Sequence, residues 1–108
     1  MKIKVKIPKE IKIGIYPYKI DLVPNLKLNK GSWGTTNHTE KTIVLDSGLP
    51  PLELNQTLIH EVVHIISENF RCLLDEDNVE RLANGIGELL FDNLNIEFNW
   101  DEYCIKGE

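Results

Sequence analysis

Hydrophobic and polar residues alternate along the first half of the chain. Isoleucine and valine alternate with lysine from Ile3 to Ile7, and isoleucine recurs at every second position from Ile11 to Ile15. The same alternation returns from Tyr18 to Leu22. A period of two is typical of strands that bury one face, so we expect a sheet whose solvated face carries the lysines. Two β-prone runs, at 32–36 and 42–46, flank a polar segment and predict a hairpin with a five-residue connection.

The second half of the chain has the periodicity and the end signals of helices. The prolines at 50 and 51 end the predicted sheet and suit the start of a helix, which we expect to run from near Leu52 to about Asn69. Acidic residues at 75–77 favour the start of a second helix, because the helix dipole stabilises negative charge there. This second helix should reach about 92–93. The tail from Leu94 is either a short strand or a packed extended segment. Strands followed by helices predict an α+β fold.

Composition and charge exclude several classes of protein. The 108 residues fit one domain, spanning 1–108, and 42% hydrophobic with 27% charged residues is ordinary globular composition. The net charge of −5 argues against a nucleic-acid partner, because phosphate binding needs a basic patch. No stretch approaches the roughly 18 apolar residues of a membrane span, and the N-terminus lacks the apolar core of a signal peptide. We therefore expect a cytoplasmic protein without a membrane partner.

The two cysteines do not change this picture. Cys72 and Cys104 are too few and too far apart for a metal knuckle or a disulfide framework. We expect both to be reduced, and Cys72 to act as a small buried hydrophobic residue.

The segment His60-Glu61-Val62-Val63-His64 carries the clearest chemical signal in the chain. Histidines four residues apart lie one turn apart on the same helix face, so their imidazoles converge on one point. That point suits Zn²⁺, which in catalytic sites takes a third protein ligand and keeps one position open for water. Glu61 is placed to act as general base on that water. The alternative interpretation is an amphipathic helix whose polar stripe faces solvent.

The second predicted helix supplies a candidate third ligand. Glu80 follows His64 by sixteen residues, and Asn84 lies one turn beyond Glu80. An antiparallel helix pair would bring Glu80 towards the two histidines, and Asn84 could orient a ligand from behind it. Glu76 and Asp77 are possible substitutes, but they lie at the start of the helix and lack an asparagine one turn on. The structural alternative for Glu80 is a surface carboxylate paired with a lysine or arginine.

Two segments together resemble the gluzincin pattern: His60-Glu61-Val62-Val63-His64, followed by Glu80-Arg81-Leu82-Ala83-Asn84. The E-x-x-A-N form of the second segment resembles the ImmA/IrrE group of intracellular metallopeptidases and small phage-encoded zincin-like proteins. The runs at 31–36, 45–47 and 57–61 are also similar to the small phage type. The resemblance covers roughly residues 30–93. It implies a minimal zincin fold, in which a small twisted N-terminal sheet packs on a zinc-binding helix with a second, C-terminal helix behind it. It also implies a phage or prophage setting in a bacterial cell.

The leading hypothesis is a metallopeptidase in which His60, His64 and Glu80 hold one Zn²⁺ ion and Glu61 is the general base. Its partner would be a peptide or protein substrate. In related zincins the strand at the edge of the cleft pairs with an extended peptide, and here the candidate strands are 33–36 and 42–45. Two other hypotheses stay open: a zinc-containing interaction module without catalytic activity, and a metal-free α+β domain that binds a protein.

Three further residues are candidates for substrate binding. Trp33 either lines a substrate pocket or anchors the sheet, and the pattern favours the anchor. His38 lies in the hairpin connection and could reach over the cleft, and Tyr103 could do so from the tail. For His38 and Tyr103 the pattern favours the simpler interpretation, an ordinary exposed or half-buried side chain.

Overall fold

The structure is a computed structural model that describes residues 1–103, except for the side chains of residues 29 and 30. Cys104, expected to be reduced, lies outside the described residues. The described residues form an α+β domain with two sheets and three α-helices, as the order of strands and helices predicts. In chain order, the elements are β1 (Ile3–Lys6), β2 (Glu10–Ile13), β3 (Tyr16–Val23), α1 (Leu26–Lys30), β4 (Gly34–Asn37), β5 (Thr42–Asp46), α2 (Pro51–Asn69), α3 (Glu76–Gly87), a π-helical segment (Glu88–Asn93) and β6 (Ile96–Asn99).

The larger sheet has four strands in the order β2-β3-β5-β4. The alternation predicted for β3 is confirmed, since Tyr18, Ile20 and Leu22 are all buried. β3 pairs with β5 in parallel, and β4 pairs with β5 in the predicted antiparallel hairpin. The register places Asn37 opposite Thr42, so the connection has four residues instead of five. This arrangement leaves β4 at one end of the sheet and places β5 inside it.

The N-terminal strand forms, but the prediction that it buries one face is wrong. β1 pairs in parallel with β6 in a separate two-stranded sheet. Ile3 and Val5 are 58% and 39% exposed, and Ile7, just beyond the strand, is buried. The physical reason is the partner: by pairing with the C-terminal tail, β1 lies outside the four-stranded sheet that α2 covers. The tail therefore contains the short strand that was one of its two predicted forms.

The helix α2 occupies residues Pro51–Asn69, one residue longer than predicted. Its apolar residues divide between two neighbours. Leu54, Leu58 and Ile65 join the buried core of the four-stranded sheet, whereas Ile59 and Val63 pack against α3. The helix is thus held between the sheet and α3, and its polar stripe lies at the rim between them. Among the described residues, no helix has the length and the apolar character needed to cross a membrane.

The turn between α2 and α3 depends on Ser67, which is 8% exposed. Its hydroxyl accepts a hydrogen bond from the backbone N–H of Leu74 at 3.0 Å, and its carbonyl accepts one from Cys72 at 2.9 Å. Asp75 then caps α3 by accepting from the backbone N–H of Asn78. These contacts reverse the chain within a few residues. Cys72 lies in this turn and is exposed, so the expectation that it is buried is wrong.

The far end of the helix pair is fixed by Gln56. Its side-chain amide donates to the carbonyl oxygen of Ala83 at 2.8 Å. A Cβ at Gly87 would lie 2.1 Å from the Gln56 Oε1 atom, so this position tolerates only glycine without rearrangement. α2 and α3 are therefore antiparallel and close, and their axial offset is set at both ends. The predicted second helix continues beyond Gly87, but as the π-helical segment.

Candidate metal centre

His60 and His64 lie one turn apart on α2, as their spacing predicts, with ring centroids 4.9 Å apart. The Nε2 atom of each imidazole is 2.8 Å from a different carboxylate oxygen of Glu76. The two imidazoles are partly buried, and the Glu76 side chain is 64% exposed. The ligand atoms of these three residues all lie within 4.8 Å of one another. The structure thus brings together two imidazole nitrogens and one carboxylate, which is a donor set typical of zinc.

Glu80, the predicted third ligand, lies elsewhere. It lines a cavity of about 280 Å³ beside the histidines, together with His60, Glu61 and Asn84. One helical turn, about 5.4 Å, separates Glu76 from Glu80 along α3. Because the Ser67 turn is tight, the first turn of α3 is level with the two histidines, so Glu76 reaches them. The preference for Glu80 over Glu76 rested on its position away from the helix start, and the axial offset of the helices favours Glu76 instead.

Asn84, predicted to support a ligand, lines the same cavity as Glu80 and lies about two helical turns along α3 from Glu76. The structure therefore places Asn84 near Glu80 and does not bring it to the group of His60, His64 and Glu76.

Glu61, the predicted general base, is 7% exposed and lies next to the histidines. Its Oε1 atom accepts a hydrogen bond of 2.7 Å from the Thr36 hydroxyl on β4. It lines the 280 Å³ cavity and a second cavity of about 320 Å³ that also contains His60, His64 and Glu76. Glu61 is therefore a buried carboxylate that lies beside the three donors and is separate from them.

Thr36 was not among the residues singled out from the sequence. Its signal is the alternation within the hairpin: on β4, Gly34 is buried and Thr36 half-buried, whereas Thr35 and Asn37 are exposed. Residues 34 and 36 therefore face α2. A threonine at such an inward position, where an aliphatic residue would pack equally well, indicates a hydroxyl with a partner.

Of the predicted substrate-binding residues, His38 lies closest to the histidine–glutamate group. It lines the 320 Å³ cavity with His60, His64 and Glu76. Its ring lies edge-on to Tyr18 at 6.4 Å, and its buried Nδ1 atom has no hydrogen-bond partner in the described structure. The hairpin connection thus places the His38 imidazole in the wall of this cavity, and a role in substrate binding stays a prediction.

Trp33 lines the site as well as anchoring the sheet. Its carbonyl oxygen accepts a hydrogen bond from the backbone N–H of Asp46, which ties it to β5. Its side chain is 47% exposed and forms a wall of the 280 Å³ cavity and of an adjoining cavity of about 390 Å³ that includes Leu49 and Pro50. The backbone of Trp33 thus anchors the sheet, and whether its ring contacts a substrate stays a prediction.

Tyr103 does not reach the site. Its hydroxyl donates a hydrogen bond to the carbonyl oxygen of Pro8, and its ring packs against Trp100 at 5.1 Å. The indole of Trp100 in turn donates to the buried side chain of Asn55 at 2.7 Å. The tail is therefore held against the N-terminal strands. Tyr103 is the half-buried side chain that the sequence favoured, and the other interpretation, that it extends over the cleft, is wrong.

Comparison with known protein families, curated proteins and solved structures finds no match to this chain.

Proposed function

We propose that this protein is a zinc-dependent metallopeptidase in which His60, His64 and Glu76 bind one Zn²⁺ ion and Glu61 is the general base. The observation that carries the proposal is the single carboxylate within 2.8 Å of both imidazoles, with a second, buried carboxylate beside them. The fold class and the motif together favour the minimal zincin type that the sequence resembles.

The donors present fit zinc in kind and in spacing. Zinc binds imidazole nitrogen and carboxylate oxygen at about 2.0–2.2 Å, so tetrahedral donors lie roughly 3.3 Å apart. The three ligand atoms here lie within 4.8 Å of one another, and the exposed Glu76 side chain can adjust by rotation. Structural zinc sites usually have four protein ligands, whereas catalytic sites have three and an open position. Three donors beside a cavity therefore favour the catalytic kind.

In the proposed reaction, the residues of the site have different roles. When bound, Zn²⁺ supplies a Lewis acid that polarises a peptide carbonyl and acidifies an attacking water. Glu61 would accept a proton from the attacking water and return it to the leaving amine. The two imidazoles would hold the ion as neutral groups, through the Nε2 atoms that now face Glu76. Thr36 donates a hydrogen bond to one oxygen of the base.

An extended peptide is the substrate that the surrounding surface favours. β4 is at the end of the four-stranded sheet, and its residues Gly34 and Thr36 line the cavities next to the histidines. The free edge of a strand recognises a peptide through main-chain hydrogen bonds, with little dependence on its sequence. β5 is inside the sheet, so of the two candidate strands β4 is the one that can pair with a substrate.

The test compares the wild type with Glu61→Gln and with Glu68→Gln, an exposed glutamate on the same helix. Zinc content is measured after purification, and cleavage is followed on a mixed peptide library by mass spectrometry. We expect zinc in all three proteins and cleavage by the wild type and Glu68→Gln only. Glutamine keeps the shape of Glu61 and can still accept from Thr36, but it cannot take up a proton.

Two outcomes would contradict the proposal in different ways. Zinc in the wild type without cleavage of any peptide would favour the zinc-containing interaction module. A wild type that does not bind zinc would favour the metal-free domain.

A further inference from the structure

We infer that Thr36 is a positioning residue for Glu61, fixing the carboxylate in the orientation that takes a proton from the attacking water. The inference rests on the proposed function and adds a residue from the sheet to a site otherwise built from two helices. It is carried by the 2.7 Å hydrogen bond from the Thr36 Oγ1 atom to the Glu61 Oε1 atom.

The contact is built into the packing of β4 on α2. A Cβ at Gly34 would lie 2.7 Å from Thr57 Cγ2, 3.0 Å from Leu45 Cδ2 and 3.5 Å from Glu61 Cγ, so the strand lies directly against the helix. Thr36 is two residues further on the same face. β4 and α2 are both regular here, and Thr36 and Glu61 form the hydrogen bond from their ordinary positions on the two facing surfaces. The distance between hydroxyl and carboxylate is therefore set by the fold.

The hydroxyl, and not the shape of the residue, is the feature that matters. Thr36 is opposite Ile43, which is fully buried. Valine has nearly the same shape, favours strands equally, and would fill this position. What valine lacks is a donor for a carboxylate that is 7% exposed. A buried carboxylate without a donor is costly, so the hydrogen bond holds Glu61 in one orientation.

This arrangement gives the two oxygens of Glu61 different roles. Oε1 is engaged by Thr36, which restricts rotation about the last side-chain bond. Oε2 is left for the proton of the water that attacks the substrate carbonyl. The base is thus oriented before substrate binds, which is how preorganised groups lower a barrier.

The test uses Thr36→Val, the conservative variant Thr36→Ser, and Thr35→Val as the matched control on the exposed face of β4. Four quantities are measured: the affinity for zinc and, on zinc-loaded protein, the affinity for a peptide hydroxamate and the kcat and KM for a cleaved peptide. A hydroxamate binds zinc and places an acidic proton against the base, so it reports on Glu61 without turnover.

We expect Thr36→Val to weaken hydroxamate binding about tenfold, the loss typical of one hydrogen bond to a charged group. kcat should fall by a similar factor, with KM and zinc affinity within about twofold. Thr36→Ser should retain most of the wild-type values, and Thr35→Val all of them. In a Glu61→Gln background, Thr36→Val should have little further effect on hydroxamate binding, because the two residues act through one another.

The outcomes separate this inference from the proposed function. If zinc is bound but Thr36→Val binds the hydroxamate as the wild type does, the inference is overturned and the metallopeptidase stands. Equal losses in Thr36→Ser and Thr36→Val would also overturn it, since shape would then be responsible. A wild type that binds neither zinc nor hydroxamate would overturn both. Circular dichroism of each variant checks that it is folded.

Discussion

Replacing Glu76 with glutamine tests which carboxylate of α3 is the third ligand of the proposed zinc site. In the structure Glu76 contacts both imidazoles, whereas Glu80 lies one turn away in the neighbouring cavity. Zinc bound by four protein ligands contributes about 10–16 kcal/mol, so one ligand accounts for about 3 kcal/mol. That free energy corresponds to about a 100-fold change in the dissociation constant. We expect Glu76→Gln to weaken zinc binding by about this factor, and Glu80→Gln to change it less than about threefold.

Glu76 also lies in the first turn of α3, where a negative charge stabilises the helix by about 0.3–1 kcal/mol. Asp77→Asn removes an equivalent charge from the same turn without touching the histidines, so it is the matched control. Zinc affinity is measured by competition with a coloured chelator, and folding by thermal melting with and without zinc. If Glu80→Gln loses zinc affinity and Glu76→Gln does not, the assignment of Glu76 is refuted and the ligand expected from the sequence motif is restored.

Two further predictions concern stability. Gly34→Ala should lower the free energy of unfolding in urea by about 1–3 kcal/mol, because its Cβ would overlap Thr57. A Cβ at Gly85 would have nothing within 4 Å, so Gly85→Ala should raise the free energy of unfolding by about 0.5–1 kcal/mol. Equal effects of the two changes would contradict the close approach of β4 to α2. Burial, with a smaller contribution from the charge of Asp21, raises the pKa of Tyr103 to about 12, from 10.0. The folded state then keeps a proton that the unfolded chain loses, so this contribution to stability is complete below pH 10 and lost between pH 10 and 12. Tyr103→Phe should be less sensitive to alkaline pH in denaturation curves, and an identical loss in both proteins would count against it.

The helices and the hairpin show what local sequence can predict. α2 has a proline start and an apolar face of helical period, and its predicted bounds differ from the structure by one residue. The hairpin of β4 and β5 was predicted to within one residue of its connection. In each case the signal lies within about twenty residues, where backbone geometry and side-chain periodicity act directly.

The pairing of β1 could not be predicted from the local sequence. The alternating residues predict a strand, but its partner β6 is more than ninety residues away and carries no signal that pairs the two. Parallel pairing leaves both strands in a small sheet outside the main one. The exposure of Ile3 and Val5 follows from that topology and cannot be read from the strand itself.

The sequence by itself determined that two imidazoles lie on one helix face with a carboxylate beside them, because residue type and helical spacing fix that arrangement. Tertiary structure decided which other groups meet them. The Ser67 turn and the Gln56–Gly87 contact set the offset of α3, and that offset brings Glu76 to the histidines. The packing of β4 on α2 likewise brings the Thr36 hydroxyl to the Glu61 carboxylate. Both depend on distances between elements, which a pattern of residue types along one chain does not contain.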